Sequence, residues 1–85
     1  MSKQSKTLDK LLRSPTPSDI RWAELVTLMS SFGYTVLKGD GSRRKFFHPD
    51  TKHILICHEP HPGPHVAKYV IEQIVQGLTE QGLIG

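Results

Sequence analysis

Apolar residues recur along this chain first with a helical period and later in short strand-like runs. Trp22, Leu25, Leu28, Met29 and Phe32 form one stripe, which predicts an amphipathic helix. Ser18 or Asp19 is suited to open it by accepting orphan backbone amides, and Gly33 to close it as a left-handed cap. Tyr34-Thr35-Val36-Leu37 is β-branched and aromatic and predicts a strand. Gly39-Asp40-Gly41 carries the Asp-Gly hairpin signal, and Arg43 to His48 forms the second strand. After the turn Pro49-Asp50-Thr51-Lys52, the third strand runs from His53 to Cys57, and its unbroken apolar run predicts a place in the middle of the sheet. The stretch His58-Glu59-Pro60-His61-Pro62-Gly63-Pro64 is a stiff loop, since its three prolines cannot donate to a ladder. A last helix begins near His65. It has Val66, Val70, Ile74 and Leu78 in line, Ala67, Ile71 and Val75 beside them, and Gly82 at its close.

The order helix, strand, strand, strand, helix predicts an α+β fold. An α-β-β-β-α chain would place two helices on one face of a three-stranded antiparallel sheet and leave the other face free. The double-stranded-RNA-binding domain shares this order, but a fold does not by itself set a function. Residues 1–18 are mostly polar, with an apolar cluster at Leu8, Leu11 and Leu12 and a break at Pro15-Thr16-Pro17. They form a flexible or short-helical leader, and residues 19–85 one domain. A chain of 85 residues supports a single thin core, which a protein partner could extend.

Charge changes the picture only locally. There are 11 Lys and Arg against 8 Asp and Glu, a net +3, compatible with an anionic partner without requiring one. The lone cysteine, Cys57, excludes an internal disulfide and, within its apolar run, reads as a small buried hydrophobe rather than a nucleophile. The N-terminus lacks the apolar segment of a signal peptide, and no stretch reaches membrane-spanning length. The expected location is the cytoplasm, with no membrane partner.

The cations gather on the hairpin, in Gly41-Ser42-Arg43-Arg44-Lys45. Alternation along a strand puts Arg43, Lys45 and Phe47 on one face and Arg44, Phe46 and His48 on the other. Only one of the two phenylalanines can enter the core. Cations beside an exposed ring suit RNA, because the charges meet phosphates and the ring stacks on a base. The candidate RNA-binding set is Lys38, Ser42, Arg43, Arg44, Lys45 and Phe47. A solvated strand whose charges discourage edge pairing is the competing reading. The flexible Gly39, Gly41 and Ser42, where free amides could meet a phosphate, favour the first.

All five histidines lie between residues 48 and 65: His48, His53, His58, His61 and His65. Metal-free RNA cleavage needs a base for the 2′-hydroxyl, an acid for the leaving oxygen and a cation for the phosphorane, and histidine with arginine can supply all three. His58, His61 and His65 have ligand-like gaps, but prolines constrain the backbone between them and the pattern is not the helical zinc-protease motif. No metal site and no cofactor is expected.

Several short motifs in order make the chain resemble the HicA family of bacterial toxins, from about Trp22 to Leu83. They are a helix ending in Phe32-Gly33-Tyr34, Gly41-Ser42 opening the second strand with Phe46 on it, His48-Pro49-Asp50, a His- and Pro-rich loop, and a final helix ending near Gly82-Leu83. The resemblance implies the α-β-β-β-α fold of double-stranded-RNA-binding domains, with Phe46 facing the helices. It also implies metal-independent endoribonuclease action on mRNA and inhibition by a HicB-like antitoxin. Family members carry a catalytic histidine directly after Gly-Ser, where this chain has Arg43. An arginine stays protonated and cannot act as a general base, though it can bind phosphate or stabilise a transition state. His58 and His61 are then the best-placed catalytic candidates. The alternatives are a non-catalytic RNA-binding module or an antitoxin-binding protein that has lost the catalytic histidine.

Overall fold

A computed structural model describes residues 3–61 and 63–84. Six elements follow in order: α1 (Lys3–Leu11), α2 (Trp22–Ser31), β1 (Thr35–Lys38), β2 (Arg43–Phe47), β3 (Ile54–His58) and α3 (Lys68–Glu80). The expected α+β order, with an antiparallel sheet, is present from α2 to α3. Met1 and Ser2, at the start of the expected leader, and Pro62, in the proline-rich loop, lie outside the described residues.

The apolar stripes become the core. Leu25, Leu28 and Met29 of α2 meet Val70, Ile71, Ile74 and Leu78 of α3 over Phe46 and Cys57 of the sheet, all buried. Phe46 is 1% exposed and packs its ring on Trp22, centroids 5.5 Å apart. Gly33 ends α2 at φ +95°, with amides of Gly33 and Tyr34 returning to the carbonyls of Ser30 and Met29, the double bond pattern of a left-handed helix cap. That glycine is also required sterically, because a Cβ there would lie 2.8 Å from Nε2 of His48.

Two expectations are corrected. The sheet order is β1-β2-β3, so β3 is an edge strand and the charged β2 is the central one. An unbroken apolar run does not say how many strands flank it, nor whether both of its faces are covered. Here Ile54 and Ile56 point to the uncovered face, 47% and 56% exposed. Nor does Ser18 or Asp19 open α2, whose N-cap is Arg21. The Glu24 carboxylate accepts the Arg21 amide at 3.0 Å, and Asp19 is engaged by Lys10 of α1 through its carbonyl at 2.9 Å and its carboxylate at 3.5 Å. Ile20 is buried and accepts the Val66 amide, while the Trp22 amide donates to Pro64, so the entry to α2 is tied to the segment before α3. This tie fixes the end of the proline-rich loop.

α1 lies against α2, with Leu11 buried, Leu8 half-buried and Leu12 exposed. Cys57 is buried as expected, and burial pushes its thiol up to about 11, against a smaller opposing pull from the Arg44 guanidinium.

Candidate functional site

The strand register assigns each hairpin side chain to a face. Val36, Phe46 and Leu55 are cross-strand neighbours, as are Lys38, Arg44 and Cys57, and both rows face the helices. Leu37, Lys45 and Ile56 form one row on the uncovered face, Thr35, Phe47 and Ile54 another, and Arg43 faces His58. The alternation expected for Arg43, Lys45 and Phe47 therefore holds. The uncovered face is more apolar than anticipated, since Leu37, Ile54 and Ile56 join Phe47 there.

Hairpin geometry brings the β1–β2 turn over the end of β3. The Gly39 amide donates to the Arg43 carbonyl at 2.8 Å, and Gly41 takes the positive φ that the turn requires, +57°. The Glu59 amide reaches back to the Ser42 carbonyl at 2.8 Å and prolongs the β2–β3 pairing past the strand ends. As a result the Ser42 hydroxyl lies 3.2 Å from Nδ1 of His58, both exposed. A depression of about 390 Å³ opens beside this pair, walled by Ser42, His58, Glu59, His61, His65 and Tyr69. Volume alone does not mark it. A hollow of about 430 Å³ between α1 and α2, lined by Lys6, Ala23, Glu24 and Thr27 among others, holds no imidazole.

The two adjacent arginines are used differently. Arg43 is exposed, opposite His58. Arg44 turns to the helix side, its side chain only 14% exposed, and donates to the Glu59 carboxylate at 3.0 Å and to the carbonyls of Gly41 and Arg43 at 2.9 and 2.7 Å. With Nε and Nη1 engaged in this way, the guanidinium holds the turn in shape, and of its five donors only those of Nη2 are left over. Lys38, Lys45 and Arg43 are the exposed cations of the predicted set, and Lys52 places its ammonium 6.0 Å from the Phe47 ring centroid.

The histidines divide between the two ends of the sheet. His58, His61 and His65 share the depression. His48 and His53 lie at the opposite end around Tyr34. The Tyr34 hydroxyl is 2.6 Å from Nδ1 of His53, the buried His48 ring meets the Tyr34 ring edge-on at 5.0 Å, and His48 accepts the Thr51 amide. Burial raises the Tyr34 hydroxyl above its ordinary value. These two histidines shape the β2–β3 turn. Among the described residues, no three His, Cys, Asp or Glu side chains converge as a metal site would require.

Sequence reasoning missed Glu59 and Tyr69, and weighed His65 only for its metal-ligand spacing. Glu59 could have been suspected because it directly follows the strand expected to pair with the Arg-rich one, whereas only the three-dimensional return of α3 brings Tyr69 to the site.

An imidazole and a hydroxyl at one open depression, with the exposed Arg43 across the strand pair from His58, can bind a phosphodiester and move protons on it. A family model described as the HicA toxin of bacterial toxin-antitoxin systems matches residues 22–83, which spans α2 to the end of the domain. Comparison with curated proteins and with solved structures gave no match.

Proposed function

Because the chain belongs to the HicA toxin family, we propose that it cleaves RNA at the Ser42–His58 depression and that a cognate antitoxin silences it. The observation that carries this reading is the 3.2 Å contact between Ser42 Oγ and His58 Nδ1, opposite Arg43 and beside His61. With Nδ1–H donating to the Ser42 oxygen, Nε2 of His58 holds the free lone pair and takes the proton from a ribose 2′-hydroxyl. The 2′-oxygen attacks the adjacent phosphorus. His61, in its protonated form, gives its proton to the departing 5′-oxygen. Arg43 neutralises charge on the phosphorane oxygens, in place of the base that the family carries there. The products are a 2′,3′-cyclic phosphate and a 5′-hydroxyl, and no metal enters the scheme.

The test is to incubate the purified chain with RNA in the presence of a chelator. Cleavage should persist and fall by roughly 10²–10⁴ in His58→Ala. Intact RNA after incubation with folded wild-type protein would remove the enzymatic reading.

Arg43 also favours a second reading, binding without cleavage, since it replaces the expected base with a permanent cation. Binding that weakens steeply with salt, without product, would select it.

A toxin of this family has an antitoxin partner. The uncovered sheet face supports its docking there. Leu37, Ile54 and Ile56 offer apolar surface, Lys45 lies between Leu37 and Ile56 with Arg43 toward one end, and none of the face's eight strand residues is acidic. A partner with aliphatic residues fringed by carboxylates fits, and it would reach Arg43 and His58. Antitoxin and RNA should therefore compete, and simultaneous binding would contradict masking. No described helix is long and apolar enough to cross a membrane.

A further inference from the structure

Three depressions around the β1–β2 turn share walls. The one beside His58 has Ser42, Glu59, Pro60 and His61 in common with a second, which shares Arg44 and Glu59 with a third of about 430 Å³. Set side by side, they follow one another round the turn from the histidines to Lys38. An aromatic ring stands at each end. Tyr69, 54% exposed, lines the end nearest the histidines, and the half-buried Trp22 lines the other beside the exposed Lys38.

The core does not need the Tyr69 ring. Its neighbours Val70 and Ile71 supply the buried contacts of the first turn of α3, at 1% exposure each. A large aromatic left half in water at the wall of a polar depression is suited to stacking on a flat apolar ligand. Glu59, the carboxylate along this path, is neutralised by Arg44 at 3.0 Å and so does not repel a polyanion. Duplex RNA hides its base faces in the helical stack and is read through phosphates and 2′-hydroxyls, whereas unpaired bases present faces to aromatic side chains.

We infer that these depressions are a track for single-stranded RNA, in which an unpaired base stacks on Tyr69 next to the Ser42–His58 pair. The strand continues past Arg44 and Glu59 toward Lys38 and Trp22. This rests on the RNA reading above and adds to it the strand state of the substrate and a base-stacking subsite.

The experiment measures binding of a short single-stranded RNA and of a hairpin duplex of matched composition, by fluorescence anisotropy, to wild type, Tyr69→Phe and Tyr69→Ala. Thermal melts verify that each variant is folded. Wild type should prefer the single strand. Tyr69→Ala should weaken that binding roughly 5- to 150-fold, the range measured for base–aromatic stacks. Tyr69→Phe should keep wild-type affinity, because the ring and not the hydroxyl is used. In cleavage assays Tyr69→Ala should raise KM with kcat largely retained. An abasic nucleotide at the stacking position should abolish the difference between wild type and Tyr69→Ala. Wild-type binding that is unchanged in Tyr69→Ala, or a preference for the duplex, overturns the track and leaves the RNA reading standing. Wild-type protein that binds neither RNA overturns both.

Discussion

Phe46 and Phe47 are chemically identical neighbours on β2 with opposite environments, so the same substitution at each tests the face assignment on which the site depends. Phe46 is 1% exposed, stacked against Trp22 within a core shared by α2 and α3. Phe47 is half-buried on the other side, opposite Thr35 and Ile54, with Lys52 near its ring. Phe46→Leu removes ring volume from a closed space and should cost about 1–2 kcal/mol. A domain of this size has about 4–13 kcal/mol in all, so Phe46→Ala, at about 3–5 kcal/mol, approaches the limit of folding. The leucine variant is therefore the safer probe. At about 4–8 °C per kcal/mol it should lower Tm by about 5–15 °C. Phe47→Leu leaves only a partly solvated position less filled and should cost under about 0.5 kcal/mol. Thermal denaturation followed by circular dichroism reads the difference. Equal Tm losses, or a larger loss at Phe47, would refute the register, because a one-residue slip exchanges the two faces of β2.

The two arginines should separate in the same manner. Arg44→Ala strips the turn of its internal donors and leaves Glu59 unpaired, so it should cost about 1–2 kcal/mol in urea unfolding. Arg43→Ala should leave stability unchanged while reducing the slope of log affinity against log salt by about 0.7. A stability loss at Arg43 with none at Arg44 would contradict the geometry. Gly33→Ala should destabilise by about 1–2 kcal/mol from the left-handed backbone alone, with the approach to His48 adding to it, and an unchanged Tm would count against that cap. The Cys57 thiol, raised from 9.0 to about 11 by burial, should be alkylated at pH 8 about a hundredfold more slowly in the folded protein than in urea. Because the folded value lies above the unfolded one, this group's contribution to stability is complete below pH 9 and declines as pH rises toward about 11. Alkylation equally fast in both states would show that the thiol is not enclosed.

Helix content and the hairpin were readable because their signals are local. The α2 and α3 stripes repeat at the helical period, Gly33 marks a backbone that only glycine adopts comfortably, and Asp40-Gly41 encodes its turn within four residues. Strand order is a different kind of information. The run Ile54 to Cys57 has an apolar residue at each position, so alternation could not say which side is covered or that the strand lies at an edge. The start of α2 was misplaced because Ser18 and Asp19 have the right chemistry for a cap. Ile20 instead enters the core and pairs with Val66, forty-six residues distant, which no local rule anticipates.

The site was half legible for the same reason. Sequence reasoning chose His58 and His61 as catalytic candidates and weighed His65 only for its metal-ligand spacing, but it gave no sign that the antiparallel turn carries His48 and His53 to the other end of the sheet. It placed Arg43 and Arg44 on opposite faces by the strand's two-residue period, yet kept both in one RNA-binding set. That divergence gives the hairpin its division of labour. Arg44, clamped by Glu59 and two carbonyls, holds the turn in the shape that keeps Ser42 against His58, while Arg43 faces outward across from the same histidine. An imidazole on β3 opposite position 43 addresses the same region of space as one on β2 would, since cross-strand neighbours lie only about 5 Å apart. Under the proposed scheme the reaction centre therefore keeps its place, with the base supplied from β3 by His58 and Arg43 as the cation facing the phosphate.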